Sequence, residues 1–191
     1  MPQLYLVSDS GAANLEAFAR RGGVVVVGPY SGIVDEHDRV RLGGYPGAWR
    51  DLLGVTVEEF FPLEAPIRLS SGASGSVWSE VAQATTAKVL DTYATGEPAW
   101  TRNDYGDGAA HYLTTLLDDD KLAEVLATAC REAEAEPAAR SVPGVEVVRR
   151  SHADGRSFLF AINHTTRDAT VTTPSGAAVT VAAGDAVVIP D

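Results

Sequence analysis

The spacing of apolar residues at the start of the chain predicts a strand, a helix and a second strand. Leu4–Val7 is a short apolar run of strand length. Residues 12–21 repeat apolar positions at helical spacing, and Asp9 and Ser10 precede them as candidate caps. Val24–Val27 is an unbroken β-branched run, which is typical of a strand covered on both faces. The pattern therefore predicts α/β layering with parallel strands.

The next segments mix irregular chain with short elements. Residues 30–45 are rich in glycine and charge and predict a long loop. A short helix is expected from Pro46 to Leu53, followed by a strand at Val55–Phe60. Residues 70–76 (SSGASGS) predict a flexible loop, and the pattern at 79–94 fits neither a helix nor a strand well.

The middle of the chain predicts two strands and one clear helix. The strands are Pro98–Asp104 and His111–Leu116, with a turn between them. The helix is expected over residues 121–134, with Asp118–Asp120 at its start as capping and dipole-compensating residues. Cys130 lies on its apolar side, so we expect a buried structural thiol.

The pattern changes after a linker at residues 136–144. Turn residues separate short runs with strand character, which predicts a small antiparallel sandwich or barrel. The chain is therefore expected to hold two domains, residues 1–142 and 143–191. The runs are Val145–Arg150, Phe158–Asn163, Thr170–Thr173, Ala178–Val181 and Ala186–Ile189.

Charge and cysteine content narrow the function classes. The 191 residues include 26 acidic and 15 basic side chains, for a net charge of −11. Such a surface repels phosphate groups, so we expect neither a nucleic-acid partner nor an anionic membrane. A single cysteine excludes a disulfide or a thiolate metal cluster within the chain. Without an apolar run of membrane-spanning length or a signal peptide, the sequence predicts a cytoplasmic protein.

Candidate nucleophiles are weak in this sequence. Ser74 lies in a glycine-rich stretch that resembles G-x-S-x-G, but its last glycine falls one place early and no clear strand precedes it. Cys130 lies late in a predicted helix rather than at a helix N-terminus, where the dipole lowers a thiol pKa. We therefore predict no catalytic residue in this chain.

Candidate ligand sites are equally weak, and we predict no metal ion and no cofactor. Residues 35–38 (DEHD) carry three carboxylates and an imidazole, but neighbouring side chains of an extended loop diverge, which favours a solvated or interface loop. The turn at residues 8–11 lacks G-x-G-x-x-G, and Asp9 would repel a phosphate. Asn163-His164-Thr165 matches a glycosylation acceptor by chance, and His164 is expected to bond a strand end.

Three segments carry a resemblance to a known family. They are residues 31–55 (SGIVDEHDRVRLGGYPGAWRDLLGV), residues 98–117 (PAWTRNDYGDGAAHYLTTLL) and residues 158–165 (FLFAINHT). The first two resemble the trimerisation domain of glycoside hydrolase family 42 β-galactosidases. The third is similar to the small C-terminal β domain of the same enzymes, so the resemblance extends over nearly the whole chain.

The resemblance implies an α/β fold: a class I glutamine-amidotransferase-like or flavodoxin-like layered sheet, truncated at its N-terminus, before a small antiparallel all-β domain. It also favours a β-strand conformation for residues 79–94. In the family, two glutamates on a TIM barrel cleave terminal β-galactosides, and that barrel precedes the equivalent of Met1. The resemblance therefore implies a chain that is inactive alone and that joins a homotrimer and a catalytic barrel.

A domain of this kind needs contact residues for its neighbours. The glycine-rich loop makes Tyr45, Trp49 and His37 the candidate interface residues, since aromatic side chains contribute strongly when they are desolvated. The alternative for Trp49 is that it packs the short helix onto the sheet. Two other functions remain open: a standalone amidotransferase-like hydrolase that uses Cys130 or Ser74, and a flavodoxin-like binding module.

Overall fold

The computed structural model describes residues 3–191 and divides the chain into two compact units, Met1–Ala135 and Glu136–Asp191. The first unit contains all the helices of the described residues. They are α1 (Asp9–Arg20), α2 (Arg50–Leu53) and α3 (Asp119–Glu132). Its strands are β1 (Val24–Val27), β2 (Val55–Pro62), β3 (Ile67–Arg68), β4 (Ser74–Ala84), β5 (Lys88–Thr92), β6 (Pro98–Tyr105), β7 (Gly108–Leu113) and β8 (Thr115–Leu117).

The first sheet of this unit is mixed. Its strand order is β1-β7-β6-β5, and β1 runs parallel to β7 while the other two pairs are antiparallel. Among residues 3–191, β1–β7 is the one parallel pair of strands, so the expected parallel layering is present only there. The expected strand at Leu4–Val7 is reduced to a parallel bridge between Leu6 and Val34. Strands are thus far more extensive than helices in this unit.

A second sheet contains the segment whose sequence pattern was ambiguous. Strand β4 pairs antiparallel with β2 on one side and with β3 and β8 on the other. Residues 79–94 are therefore mostly strand, in β4 and β5, as the resemblance implied. The expected loop at 70–76 is shorter, because Ser74 already donates its backbone N–H to the Asp118 carboxylate at 2.6 Å and begins β4.

Helices α1 and α2 cover the core of the first unit. Ser8, rather than Asp9 or Ser10, caps α1, because its hydroxyl accepts the Gly11 N–H at 3.1 Å. At the end of α2, the side-chain amide of Asn103 on β6 donates to the backbone oxygens of Asp51 and Leu52, both at 3.0 Å. These bonds satisfy two of the carbonyls that a helix end leaves open, and they fix α2 to the sheet.

Polar contacts hold α3 on the sheet. Trp100 Nε1–H donates to Nδ1 of the buried His111 at 3.1 Å, so the other ring nitrogen donates to Glu132 on α3 at 3.2 Å. Burial lowers the pKa of His111, so the neutral ring that this geometry needs is favoured. Arg102 donates through Nε to both oxygens of Glu132 at 3.0 Å.

The expected burial of Cys130 is wrong: its side chain is exposed. Lys121, Val125 and Ala129 are the residues of α3 that turn toward the sheet. Cys130 follows Ala129, and each step along a helix turns the chain by about 100°. The helix is therefore rotated by one position from the face that its apolar residues predicted.

The second unit is antiparallel throughout its described strands. One sheet has the order β13-β10-β9, and β11 pairs with β12. Leu159 and Ala161 from the first sheet and Val171 and Val181 from the second share one apolar cluster. Arg140 pairs with Thr172, so the segment before β9 packs within this unit. The strands are β9 (Val145–Ser151), β10 (Ser157–Asn163), β11 (Ala169–Thr172), β12 (Ala178–Val181) and β13 (Ala186–Pro190).

Gly54→Ala is expected to destabilise the first unit by about 2–4 kcal/mol. Gly54 ends α2 with φ +63°, and an added Cβ would lie 2.5 Å from Thr86 Oγ1 and 2.6 Å from Asn103 Oδ1. Gly72→Ala is the control, because its φ is +91° but no atom lies within 4 Å of the added Cβ. Urea unfolding followed by tryptophan fluorescence reports on the first unit, which contains all three tryptophans. Equal losses for the two variants would contradict the proposed clash.

Candidate interaction surface

Two neighbouring segments of the first unit carry four exposed apolar side chains. They are Tyr5, Leu6, Val40 and Leu42, which we together call the loop surface. The Leu6–Val34 and Val34–Val40 bridges bring its two chain segments together. Leu42 is 90% exposed, more than any other large apolar residue between residues 3 and 191. Exposed apolar side chains on neighbouring segments make this surface a candidate interaction site.

Arg41 explains why its two neighbours point outward. Its guanidinium donates to the Asp9 carboxylate and to the backbone oxygen of Val7, both at 2.7 Å. Its backbone N–H donates to Ile33 O at 3.1 Å. In extended chain, successive side chains face opposite sides. Holding Arg41 inward therefore presents Val40 and Leu42 to solvent.

The three sequence-predicted interface residues lie in different environments. His37 is exposed in a tight turn, where its backbone N–H donates to Asp35 Oδ1 at 2.8 Å. Tyr45 is half-buried, with its ring 4.8 Å from that of Phe60. Trp49 is 1% exposed and belongs to the core of the unit. The structure therefore supports the packing interpretation of Trp49 and not a surface anchor, while interface roles for His37 and Tyr45 stay predictions.

A buried carboxylate supports the loop that follows β1. Glu80 on β4 is 1% exposed, and it accepts the Tyr30 backbone N–H at 2.6 Å and the Tyr112 hydroxyl at 2.5 Å. Burial raises the pKa of Glu80 to about 7, although both hydrogen bonds act in the opposite direction. The Tyr30 ring stacks on Tyr5 at 5.3 Å, so this carboxylate is linked to the loop surface.

The candidate nucleophiles are not placed for catalysis. Ser74 Oγ donates to Asp118 at 3.1 Å, and Asp118 also caps α3 by accepting the Lys121 N–H at 3.0 Å. The expected capping role of the acidic run is thus confirmed for Asp118. Cys130 lies late in α3, away from a helix N-terminus. The described residues hold no group of His, Cys, Asp and Glu side chains that is arranged to bind a metal ion.

The asparagine of the glycosylation-like motif at residues 163–165 is buried. Asn163 is 1% exposed, and its amide donates to backbone oxygens of Arg167, Val181 and Ala182 at 2.7–3.1 Å. Its oxygen accepts the Thr165 N–H at 2.9 Å. This asparagine therefore closes a turn of the second unit. His164 is paired with Glu146 at 3.3 Å.

No described helix combines the length and the apolar character needed to cross a membrane. The described residues combine an exposed apolar loop surface with the buried carboxyl group of Glu80, which supports the adjoining loop. Comparisons with known proteins identify the domain more closely.

A family model described as "Beta-galactosidase trimerisation domain" matches residues 1–136. A β-galactosidase of Arthrobacter sp is 48% identical over 174 residues, which are 88% of this chain and 25% of that enzyme. The β-galactosidase LacZ of Heyndrickxia coagulans is 39% identical, over 86% of this chain and 26% of that enzyme. The chain therefore spans about a quarter of the length of these relatives.

Solved structures agree with the sequence comparisons. The β-galactosidase of Bacillus circulans sp. alkalophilus has a TM-score of 0.89 and 32% identity, covering 99% of this chain and 32% of that enzyme. The cold-adapted enzyme of Rahnella sp. R3 has a TM-score of 0.90 and 28% identity, covering 100% and 31%. The chain belongs to the trimerisation domain family of glycoside hydrolase family 42 β-galactosidases.

Sequence reasoning missed the residues that build the loop surface and its support. The V-R-L order at residues 40–42 was an available signal, because an arginine between two apolar residues fits extended chain with one buried polar contact. Glu80 offered no such signal, since its partners are 32 and 50 residues away along the chain.

Glu80→Gln is expected to reduce the pH dependence of the first unit's stability. The native state holds a proton on Glu80 up to pH about 7, while the unfolded state releases it near the ordinary value of 4.5. The native state therefore binds more protons in this window, and its stability falls as pH rises through it, by about 3 kcal/mol in total. Glutamine keeps both partners, since its oxygen accepts from Tyr30 and its amide donates to Tyr112.

Urea unfolding between pH 4.5 and 7.5, followed by tryptophan fluorescence, measures this effect. Glu59→Gln is the matched control, because Glu59 is an exposed carboxylate on the neighbouring strand β2. If Glu80→Gln and Glu59→Gln give the same pH profile as the unmodified chain, the buried carboxylate does not titrate in this window.

Proposed function

We propose that this chain is a non-catalytic assembly portion of a family 42 β-galactosidase and that it holds enzyme subunits together as a homotrimer. The match of residues 1–136 to the trimerisation domain family is the observation that carries the proposal. The catalytic barrel, which cleaves terminal β-D-galactosides, belongs to the rest of the enzyme in this proposal. A cytoplasmic location is part of it and agrees with a chain whose single cysteine excludes an internal disulfide.

The loop surface is the face that we assign to subunit contact. Leu42 and Val40 are 90% and 54% exposed, so burying them against a second copy removes apolar area from water. The Arg41 contacts hold this segment in one conformation before assembly, which lowers the entropic cost of binding. His37 and Tyr45 flank the same segment and are candidate contacts at its edges.

The finer fold assignment is also a proposal. We place the first unit in the class I amidotransferase-like or flavodoxin-like group, as an N-terminally truncated member. The parallel β1–β7 pair supports this assignment, because it lies between α1 on one face and α3 on the other. The antiparallel strands β6 and β5 then extend that sheet, and β2, β3, β4 and β8 form the second sheet.

The standalone hydrolase and the flavodoxin-like binding module are less well supported. Ser74 is bonded to a capping aspartate, and Cys130 lies on the exposed side of a helix. No separate geometric observation favours a flavin or nucleotide site. Assembly is therefore the function that the described residues support best.

Leu42→Asp is expected to weaken self-association by at least about tenfold, because it places a charge where an apolar contact is proposed. Size-exclusion chromatography with light scattering over a concentration series measures the change. Leu90→Asp is the control, since Leu90 is 43% exposed on β5 and lies outside the loop surface.

Two outcomes of this experiment would contradict the proposal in different ways. A chain that stays monomeric at every concentration contradicts self-association of this portion. A trimer that Leu42→Asp and Leu90→Asp weaken equally contradicts the choice of surface.

The chain alone is expected to show no turnover of a chromogenic β-galactoside. Asp118, the carboxylate bonded to the candidate nucleophile Ser74, caps a helix. Glu132, the carboxylate bonded to the buried His111, forms an ion pair with Arg102. Neither carboxylate is part of an acid–base pair for glycoside cleavage. The assay compares this chain with the Arthrobacter relative at equal molar concentration. Turnover above that of a buffer blank would overturn the assembly proposal, and its loss in Ser74→Ala or Cys130→Ser would favour the standalone hydrolase.

A further inference from the structure

The central strand of the second unit is apolar on both of its faces. Residues 158–162 of β10 (FLFAI) are apolar without a break. Leu159 and Ala161 are buried in the core of the unit, whereas Phe160, which points to the opposite face, is 36% exposed. An antiparallel sheet with one solvated face normally alternates apolar and polar residues, and an unbroken apolar run is typical of a strand covered on both faces. The pattern of β10 therefore indicates that its outward face is covered in the assembled protein.

An apolar row crosses the middle of this outward face. Phe160 pairs in register with Val148 on β9 and with Val188 on β13. Residues directly opposite each other in an antiparallel pair have Cβ atoms about 5 Å apart, so these three side chains are neighbours. Val188 is 59% exposed. We call the side of the β13-β10-β9 sheet that carries this row the outer sheet face.

The two ends of the outer sheet face carry opposite charges. At one end Ile162 pairs with Glu146, and at the other end Phe158 pairs with Arg150. Arg150 is exposed and has no ion-pair partner in the part of the chain that the structure describes. Glu146 is also exposed, and its carboxylate lies 3.3 Å from Nε2 of His164. The face is therefore acidic at one end, apolar in the middle and basic at the other end.

A two-fold axis along the apolar row makes this face complementary to itself. Rotation about such an axis reverses the strand direction in the second copy and leaves each strand opposite its own copy. It places Glu146 of each copy opposite Arg150 of the other, because both lie two residues from Val148. It also places Phe158 opposite Ile162, so apolar groups meet apolar groups. In an isologous contact each of these pairs occurs twice.

We propose that the outer sheet face docks on the same face of a second copy of this chain, about this two-fold axis. The two sheets pack face to face, as the sheets of a β-sandwich do. The inference goes beyond the proposed trimer and does not depend on it, because it uses the second unit and a two-fold contact. A trimer carries three copies of the outer sheet face, so two trimers that meet through it form a larger assembly.

The size of the outer sheet face sets the strength of this contact. Three strands about 4.8 Å apart and five residues that rise about 3.4 Å each give a footprint of about 250 Å². One partner of a stable complex usually contributes about 800 Å². Isolated chains are therefore expected to dimerise only at high concentration, whereas several faces acting together in a larger assembly bind more tightly.

Charge exchange across the proposed axis tests the inference. Sedimentation equilibrium at chain concentrations up to about 1 mM measures the mass, because a face of this size predicts weak binding. A Leu42→Asp background suppresses the proposed trimer, so a dimer is detected at twice the mass of the chain. Glu146→Arg and Arg150→Glu are made singly and together in this background, and circular dichroism checks that each variant is folded.

Each single substitution is expected to weaken dimerisation about tenfold, because it places like charges opposite each other at two symmetric positions. The double variant is expected to dimerise within about threefold of the Leu42→Asp chain, because exchanging both signs restores opposite charges. His164→Gln is the control, since Glu146→Arg also removes the contact between Glu146 and His164. We expect this control to leave dimerisation unchanged.

Three results overturn the proposal. A Leu42→Asp chain that stays monomeric at about 1 mM leaves the cover of this face to the rest of a longer enzyme. A dimer that neither single substitution weakens uses another surface, and a double variant that dimerises no better than the single variants excludes the two-fold pairing. A trimer of the unsubstituted chain together with a monomeric Leu42→Asp chain contradicts this inference alone and supports the proposed function.

Discussion

The buried carboxylate of Glu80 is the contact on which the arrangement of the first unit depends. It lies on β4, in one sheet, and accepts from Tyr112 on β7, in the other. It also accepts from the backbone of Tyr30, where the chain leaves β1 and begins the long loop. One side chain therefore joins two sheets and the start of the loop. Because an unpaired buried carboxylate is costly, neither partner is replaceable without loss.

Further polar contacts attach two helices of the first unit to its sheets, whereas the loop after β1 exposes apolar side chains. Helix α3 is fixed by the Trp100–His111–Glu132–Arg102 chain of polar contacts, and α2 is fixed by Asn103. The loop surface is held separately, because Arg41 donates to the Asp9 carboxylate and to the backbone oxygen of Val7. Rigid scaffolds with exposed apolar loops are a common arrangement for recognition.

Much of the local structure was predictable, because it depends on neighbours in sequence. The four valines of β1, the strands of the second unit and the cap at Asp118 follow from composition and spacing. The prediction of a strand at Leu4–Val7 was wrong, because this segment pairs with an irregular loop and not with a regular strand. Helix α3 was placed well along the chain but was rotated by one residue, since Lys121 takes an inward position through ion pairs with Asp91 and Glu124. A hydropathy pattern places lysine on the solvent side of a helix, so it does not predict a buried lysine.

The site was less predictable than the fold. Trp49 is aromatic and follows the glycine-rich loop in sequence, which made it a candidate contact residue. Its burial in the core shows instead that it packs within the unit. Leu42 is exposed, and its exposure depends on how Arg41 is held by Asp9, 32 residues away. Long-range contacts of this kind leave no periodic trace in a single sequence.

Asn163 has a consequence for how the second unit is produced. Oligosaccharyl transfer needs an accessible side-chain amide, and here that amide is turned inward and bonded to three backbone oxygens. A sugar chain at this position is incompatible with the folded unit. In a secretory expression host, glycan attachment and folding therefore compete for the same nitrogen atom. The fraction of glycosylated protein then rises as the folding rate of the second unit falls.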